Sequence, residues 1–211
     1  MTVISRLINL GMLISGRGSN MDAILASIKS NRIRNVKPSI VISNKPESAG
    51  LKIAQEKYGI TTRVIRSEGL KGWQYDQNVF TTLCQYGVTP QSGLVCLAGF
   101  MRIMSPEFVR LYRMRIMNIH PALLPAFPGL HAQKQALDYG VKVTGCTVHF
   151  VDEGMDSGPV ILQKAVPVMQ GDNEESLSAR ILEQEHRLYP KAVRMFSEGK
   201  IKVEGRRVSI L

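Results

Sequence analysis

The 211-residue chain predicts an α/β fold: three layers, with a mostly parallel, Rossmann-like sheet of about seven strands between helices and an antiparallel hairpin in the C-terminal half. Three observations carry this. Short apolar runs alternate with helically periodic segments through the first half. The first run ends in a glycine-rich turn, Ser15-Gly16-Arg17-Gly18-Ser19, of the kind that joins a strand to a helix. In the second half, two β-rich runs flank an acidic loop with no helical period between them.

The elements follow in order. Residues 7–14 read as a buried strand. Met21, Ile24, Leu25 and Ile28 fall at helical spacing, with Asn20 as the expected N-cap. A strand over 39–42 and a helix to Tyr58, stopped by Gly59, come next. Residues 61–65 form a third strand, and a helix over 75–86 precedes the apolar strand 93–97. A short helix spans 106–112, begun by Ser105-Pro106. The strand 115–119 ends at His120-Pro121, and Pro121, Pro125 and Pro128 keep the next loop non-helical. A helix over 131–139 leads to β-runs at 144–151 and 159–168. The last helix covers 174–196, with a break or kink expected at Pro190, and a short strand lies within 201–211. No repeat or linker divides the chain, so residues 1–211 are expected to form one domain.

Composition narrows the function. With 44% hydrophobic and 21% charged residues, the chain is neither disordered nor fibrous. No apolar run approaches the roughly 18 residues of a membrane span. Residues 7–14 lead straight into Ser15-Gly16-Arg17-Gly18 without a cleavage site, so a signal peptide is not expected. Cys84, Cys96 and Cys146 are odd in number and far apart, which excludes a disulfide framework and a CxxC metal site. A reducing, cytoplasmic setting follows. Net charge is +10, and residues 1–66 hold 11 Lys/Arg against 3 Asp/Glu. The charges are scattered singly, which excludes a basic tail but leaves nucleic acid, a membrane surface or small anions open.

Three constellations can carry chemistry. Around Gly18, Ser19 and Asn20, glycines permit close backbone approach and a helix start offers unpaired N–H groups, so the turn suits a phosphate or serves only as a tight turn. It is neither GxGxxG nor a Walker loop. In Asn118-Ile119-His120-Pro121, Pro121 keeps His120 extended, and residues i and i+2 of a strand project to one side. An amide that polarises an oxygen thus stands beside an imidazole that moves a proton, at the sheet edge where ligands bind. The third is the loop from Asp152 through Glu153, Gly154, Met155 and Asp156 to Pro159, which lacks the EF-hand pattern. A carboxylate folding back from it onto His120 would fix the ring's tautomer and favour its charged form. His131, His149 and His186 show no metal spacing, and His149, between Val148 and Phe150, reads as structural.

Taken together, Ser15-Gly-Arg-Gly-Ser-Asn20, Leu97-Ala-Gly-Phe-Met-Arg-Ile103, Asn118-Ile-His-Pro121, Leu123-Leu-Pro125, Pro128-Gly-Leu-His131 and Asp156-Ser-Gly-Pro-Val-Ile161 resemble the phosphoribosylglycinamide formyltransferase family. The likeness runs from Leu10 to Phe196. The Asn-x-His-Pro motif with a downstream Asp is common to relatives that use 10-formyltetrahydrofolate. The Ser-Gly-x-Gly-Ser-Asn loop and Gln184-Glu185-His186 mark the glycinamide ribonucleotide branch.

The resemblance implies formyl transfer from 10-formyltetrahydrofolate, a co-substrate, to the amine of glycinamide ribonucleotide. It implies Asn118, His120 and Asp156 as the catalytic residues. Gly18, Ser19 and Asn20 would cradle the substrate phosphate, and Glu185 would contact the ribose. Met101, Arg102, Ile103, Met104 and the backbone of residues 152–156 would line the folate pocket, with no metal. Residues 1–100 would form the nucleotide-phosphate half and residues 101–211 the folate and catalytic half. The expected partners are small molecules, not nucleic acid or membrane, and the protein is expected to be a monomer or homodimer.

Some positions depart from the family pattern. Lys71 stands before Tyr75-Asp76 where relatives often carry a folate-side Arg and is the candidate to replace it on the folate, residues 87–93 are slightly longer, and an extension precedes the first strand. The alternatives are a methionyl-tRNA formyltransferase, a formyltetrahydrofolate hydrolase, and a non-catalytic nucleotide- or nucleic-acid-binding protein. The first two are expected to carry an additional domain, and the third leaves Asn118, His120 and Asp156 unexplained.

Overall fold

The computed structural model describes residues 7–211. The expected N-terminal extension, residues 1–6, lies outside them. Strand β1 (Ile8–Ile14) runs through the glycine turn into α1 (Ser19–Lys29), and β2 (Val36–Ser43) into α2 (Ala49–Tyr58). Then come β3 (Thr62–Val64), α3 (Trp73–Gln85), β4 (Gly93–Leu97), α4 (Pro106–Leu111) and β5 (Ile116–His120). The C-terminal part holds α5 (Ala132–Tyr139), β6 (Val143–Phe150), β7 (Val160–Pro167), α6 (Glu174–Ser197), β8 (Ile201–Glu204) and β9 (Arg207–Ile210).

The main sheet has seven strands in the order β3-β2-β1-β4-β5-β6-β7. The pairs from β3 to β5 are parallel, and β6 and β7 add antiparallel. Strands β1, β2, β4 and β5 bury apolar side chains on both faces, as a parallel sheet covered by helices requires. One core joins the sheet to α1, α2 and α6 through Met21, Ile24, Ala54, Ile181 and Tyr189. The other joins it to α3 and α4 through Tyr75, Val79, Leu83 and Phe108. The chain therefore winds outward from β1 to β3, crosses back beneath the sheet with α3, and continues from β4 on the other side. The winding reverses between β1 and β4, and ligands of open α/β sheets bind at such a point.

Four local expectations are corrected. Asn20 is not the N-cap: Gly18 holds that position without a side-chain cap, and Asn20 is the second residue of the helix. The second strand starts at Val36, not Ser39, because a register shift beside Leu10 and Gly11 accommodates Pro38, which has no N–H to donate. Helix α6 is not broken at Pro190. Core residues on both sides hold it, and the Tyr189 hydroxyl donates to the carbonyls of Leu97 (3.1 Å) and Met117 (2.8 Å). The tail forms a hairpin, β8-β9, in its own two-stranded sheet, because Gly205 at φ 60° reverses the chain.

Candidate active site

The loops after β1 and β4 meet at the switch point. The Ser15 N–H donates to the Gly99 carbonyl (3.0 Å), and the Ser15 hydroxyl accepts from the Met101 N–H (2.9 Å) while donating to Asn44 Oδ1 (2.6 Å). Gly18 sits at φ 73°, and a Cβ there would lie 2.8 Å from the Gly50 Cα. Only glycine allows this turn to press against the start of α2, where the Gly16 carbonyl accepts from Gly50 N–H (3.1 Å) and Ser48 Oγ (2.7 Å). The first turn of α1 then presents N–H groups and a positive dipole end, the physical basis of an anion cradle. Asn20 Nδ2 donates to Glu185 Oε2 (2.7 Å), tying this turn to α6. Burial pushes the Glu185 carboxyl up, and the Asn20 hydrogen bond opposes that rise.

Strand β5 carries the other lip. Asn118 and His120 project to one side, and both face β6, with Asn118 opposite His149 and His120 opposite Thr147. His120 is 4% exposed. Its Nε2 lies 2.8 Å from the Phe127 carbonyl, and its Nδ1 lies 3.3 Å from Asp156 Oδ2. Both ring nitrogens thus face oxygen acceptors. Asp156 reaches back because the loop turns left-handed at that residue (φ 49°), and the Gly129 N–H donates to its Oδ2 at 2.8 Å. Asp152 organises the same loop, its Oδ1 accepting from Gly154 N–H (3.1 Å) and Ser157 Oγ (2.6 Å). The Phe150 carbonyl lies where a side chain on Gly158 would go, so the loop exit also needs glycine.

His149, expected from sequence to be structural, belongs to this group. It is 2% exposed, and its Nδ1 lies 2.8 Å from the Phe150 carbonyl, so Nδ1 carries the proton. Its Nε2 is then the acceptor for Asn118 Nδ2 at 3.3 Å, and it stands 3.7 Å from Asp156 Oδ1. This fixes the orientation of the Asn118 amide and leaves its second N–H for a substrate oxygen. Burial lowers the His149 pKa below the usual histidine value, against the pull of the Phe150 carbonyl and Asp156. The unfolded chain therefore takes up a proton that the folded one resists, so stability falls as pH drops through the ordinary histidine range. In urea unfolding between about pH 7.5 and 5.5, the parent should lose more stability than His149→Gln, and equal losses would remove this assignment.

The residues expected on the folate side divide. Met101 and Ile103 are exposed, whereas Met104 is 6% exposed and packs in the core with α3 and α4. Arg102 lies 3.9 Å from the Tyr75 ring centroid and donates to the Leu70 carbonyl at 3.0 Å. Lys71 is exposed in the turn before α3. Glu153 is exposed and pairs with Arg110 at 3.6 Å, and Met155 is exposed over Gly129.

A doubly wound sheet with an amide, an imidazole and a carboxylate gathered beside its switch point is the frame of an acyl-transfer enzyme. The chain belongs to the formyl transferase family, whose model its residues 8–193 match. It is 42% identical over 196 residues to phosphoribosylglycinamide formyltransferase of Escherichia coli (strain K12), covering 92% of this chain and 90% of that protein. It is 46% identical to the trifunctional purine biosynthetic protein adenosine-3 of Drosophila melanogaster, covering 89% of this chain and 14% of that longer protein. Among solved structures, glycinamide ribonucleotide transformylase 1 from Symbiobacterium toebii is similar at a TM-score of 0.91 and 48% identity, covering 97% of this chain and 94% of that one.

Proposed function

We propose that the protein transfers the formyl group of 10-formyltetrahydrofolate to the amine of 5-phosphoribosylglycinamide, in de novo purine (IMP) synthesis. The observation that carries this reading is the convergence of Asn118, His120 and Asp156 beside the glycine turn of α1. Likeness along most of the chain to an enzyme named for the reaction supports it.

The substrate amine attacks the formyl carbon, and the carbonyl oxygen gains negative charge. The Asn118 N–H left free by His149 donates to that oxygen, and His120, held by Asp156, supplies positive charge beside it. The amine loses a proton, N10 of the folate gains one, and the carbon–N10 bond breaks. The products are the N-formyl nucleotide and tetrahydrofolate. His120 is the group placed to move that proton. Gly18, Ser19 and Asn20 hold the substrate phosphate and Glu185 its ribose. Met101, Arg102, Ile103 and the loop of residues 152–156 hold the folate. Residues 1–100 supply the phosphate cradle and residues 101–211 the reacting groups.

The test is to mix the protein with 10-formyltetrahydrofolate and follow deformylation by absorbance, with and without glycinamide ribonucleotide. Turnover is expected only with the nucleotide. Turnover that ignores the nucleotide would make the protein a hydrolase, and no turnover would end the reading.

A further inference from the structure

Away from the catalytic group, a cavity of about 360 Å³ lies along the seam between α1 and α6. Its charged lining is all of one sign: Arg32, Arg187, Lys191 and Arg194, together with His186. None of its lining residues is acidic. Arg187 and Lys191 have no partner among the described residues, while Arg32 donates to Ser30 Oγ (3.0 Å) and Arg194 stands 3.9 Å from Glu198 at the rim. Arg187, Lys191 and Arg194 follow one another at four- and three-residue spacing, so like charges are neighbours on one helix face, an arrangement that costs stability unless an anion sits among them. His186 Nε2 is buried with no hydrogen-bond partner among the described residues. The floor is of a different kind, formed by Ala23, Ala26 and Pro190.

We propose that this groove is a second anion site that takes a nucleoside diphosphate. From Arg187 to Arg194 the helix rises about 10 Å, longer than one phosphate and suited to a diphosphate with its sugar. The phosphates lie along the basic helix face, His186 Nε2 donates to one of their oxygens, and the nucleoside covers the uncharged floor. A volume of this size is within the ordinary range for small-molecule sites. The site is separate from the cradle at Gly18, but it lies between the same two helices. Asn20 and Ala23 are one turn apart on α1, and Glu185 and His186 are adjacent on α6. Binding here does not rest on the function proposed above.

The experiment is calorimetric titration of the full chain with ADP, with inorganic pyrophosphate and with a short single-stranded RNA, at physiological salt. ADP should bind, and Arg187→Glu with Lys191→Glu should weaken it by about tenfold or more. Lys37→Glu with Lys164→Glu, the same change in net charge elsewhere, should leave ADP affinity unchanged, and so should Asn20→Ala in the cradle. His186→Ala, which removes no formal charge, should weaken ADP binding several-fold, about the effect of one lost hydrogen bond. Pyrophosphate should bind more weakly than ADP. Absence of ADP binding, equal ADP affinity in the Arg187/Lys191 variant, or loss in the Asn20 variant alone would overturn the proposal. Equal affinity for pyrophosphate would overturn the place given to the nucleoside, and binding of the RNA alone would make the groove a nucleic-acid surface. Each readout is independent of turnover, so this site and the formyl-transfer reading stand or fall separately.

Discussion

His120→Ala is expected to lower kcat by about 10²- to 10⁴-fold, the usual contribution of a positioned acid or base. The change removes the group between Asp156 and the Phe127 carbonyl that can carry both a proton and a positive charge. The fold should survive it. Asp156 keeps the hydrogen bond from Gly129, and Thr147 still holds the neighbouring loop by donating to the Ala122 carbonyl (2.7 Å) and accepting from the Leu124 N–H (3.1 Å). Circular dichroism and the unfolding midpoint check that expectation beside kcat at saturating substrates. Because the lost interaction belongs to the transition state, kcat should fall much more than KM rises. A variant that keeps most of the parent kcat would take His120 out of the reaction.

Asn118 and His120 were legible in the sequence because their signal is local, whereas Asp156 came only from the family resemblance. A strand of period two places Asn118 and His120 together, Pro121 keeps the end extended, and family motifs pointed to the Asp156 loop. His149 was hidden because its role depends on register. It faces Asn118 only because β6 pairs antiparallel with β5 at that offset, and the two residues lie 31 positions apart. A polar residue at every second position of a strand beside an Asn-x-His motif was the available clue. The unbroken α6 was hidden for a similar reason. The local penalty at Pro190 is visible in sequence, and the core packing that offsets it is not. Met104 followed Met101 and Ile103 in a single apolar motif, and only the packing of α3 and α4 separates them. The basic groove was likewise hidden, because Arg32, from the basic first third, meets Arg187, Lys191 and Arg194 from the far end of the chain only in three dimensions.

Asp156→Asn should separate charge from shape. At φ 49° the residue occupies the left-handed region, which asparagine tolerates well. The amide oxygen of asparagine can still accept the Gly129 N–H, so the loop should keep its course and the unfolding midpoint should stay near that of the parent. The carboxylate opposite His120 is what disappears. Activity should then fall by about 100-fold or more, because the ring loses the charge that orients and supports it. Asp156→Ala provides the contrast. It loses both the charge and the acceptor, and with them the local hydrogen bonding that lets Asp and Asn tolerate the left-handed region, at a cost of about 1–2 kcal/mol of stability. The two variants should therefore agree in lost activity and differ in stability. If Asp156→Asn were fully active, pairing with His120 would not be what this residue contributes. If both variants lost stability equally, the loop would depend on the charge itself, and the left-handed turn at Asp156 would be a consequence of the ion pair rather than its cause.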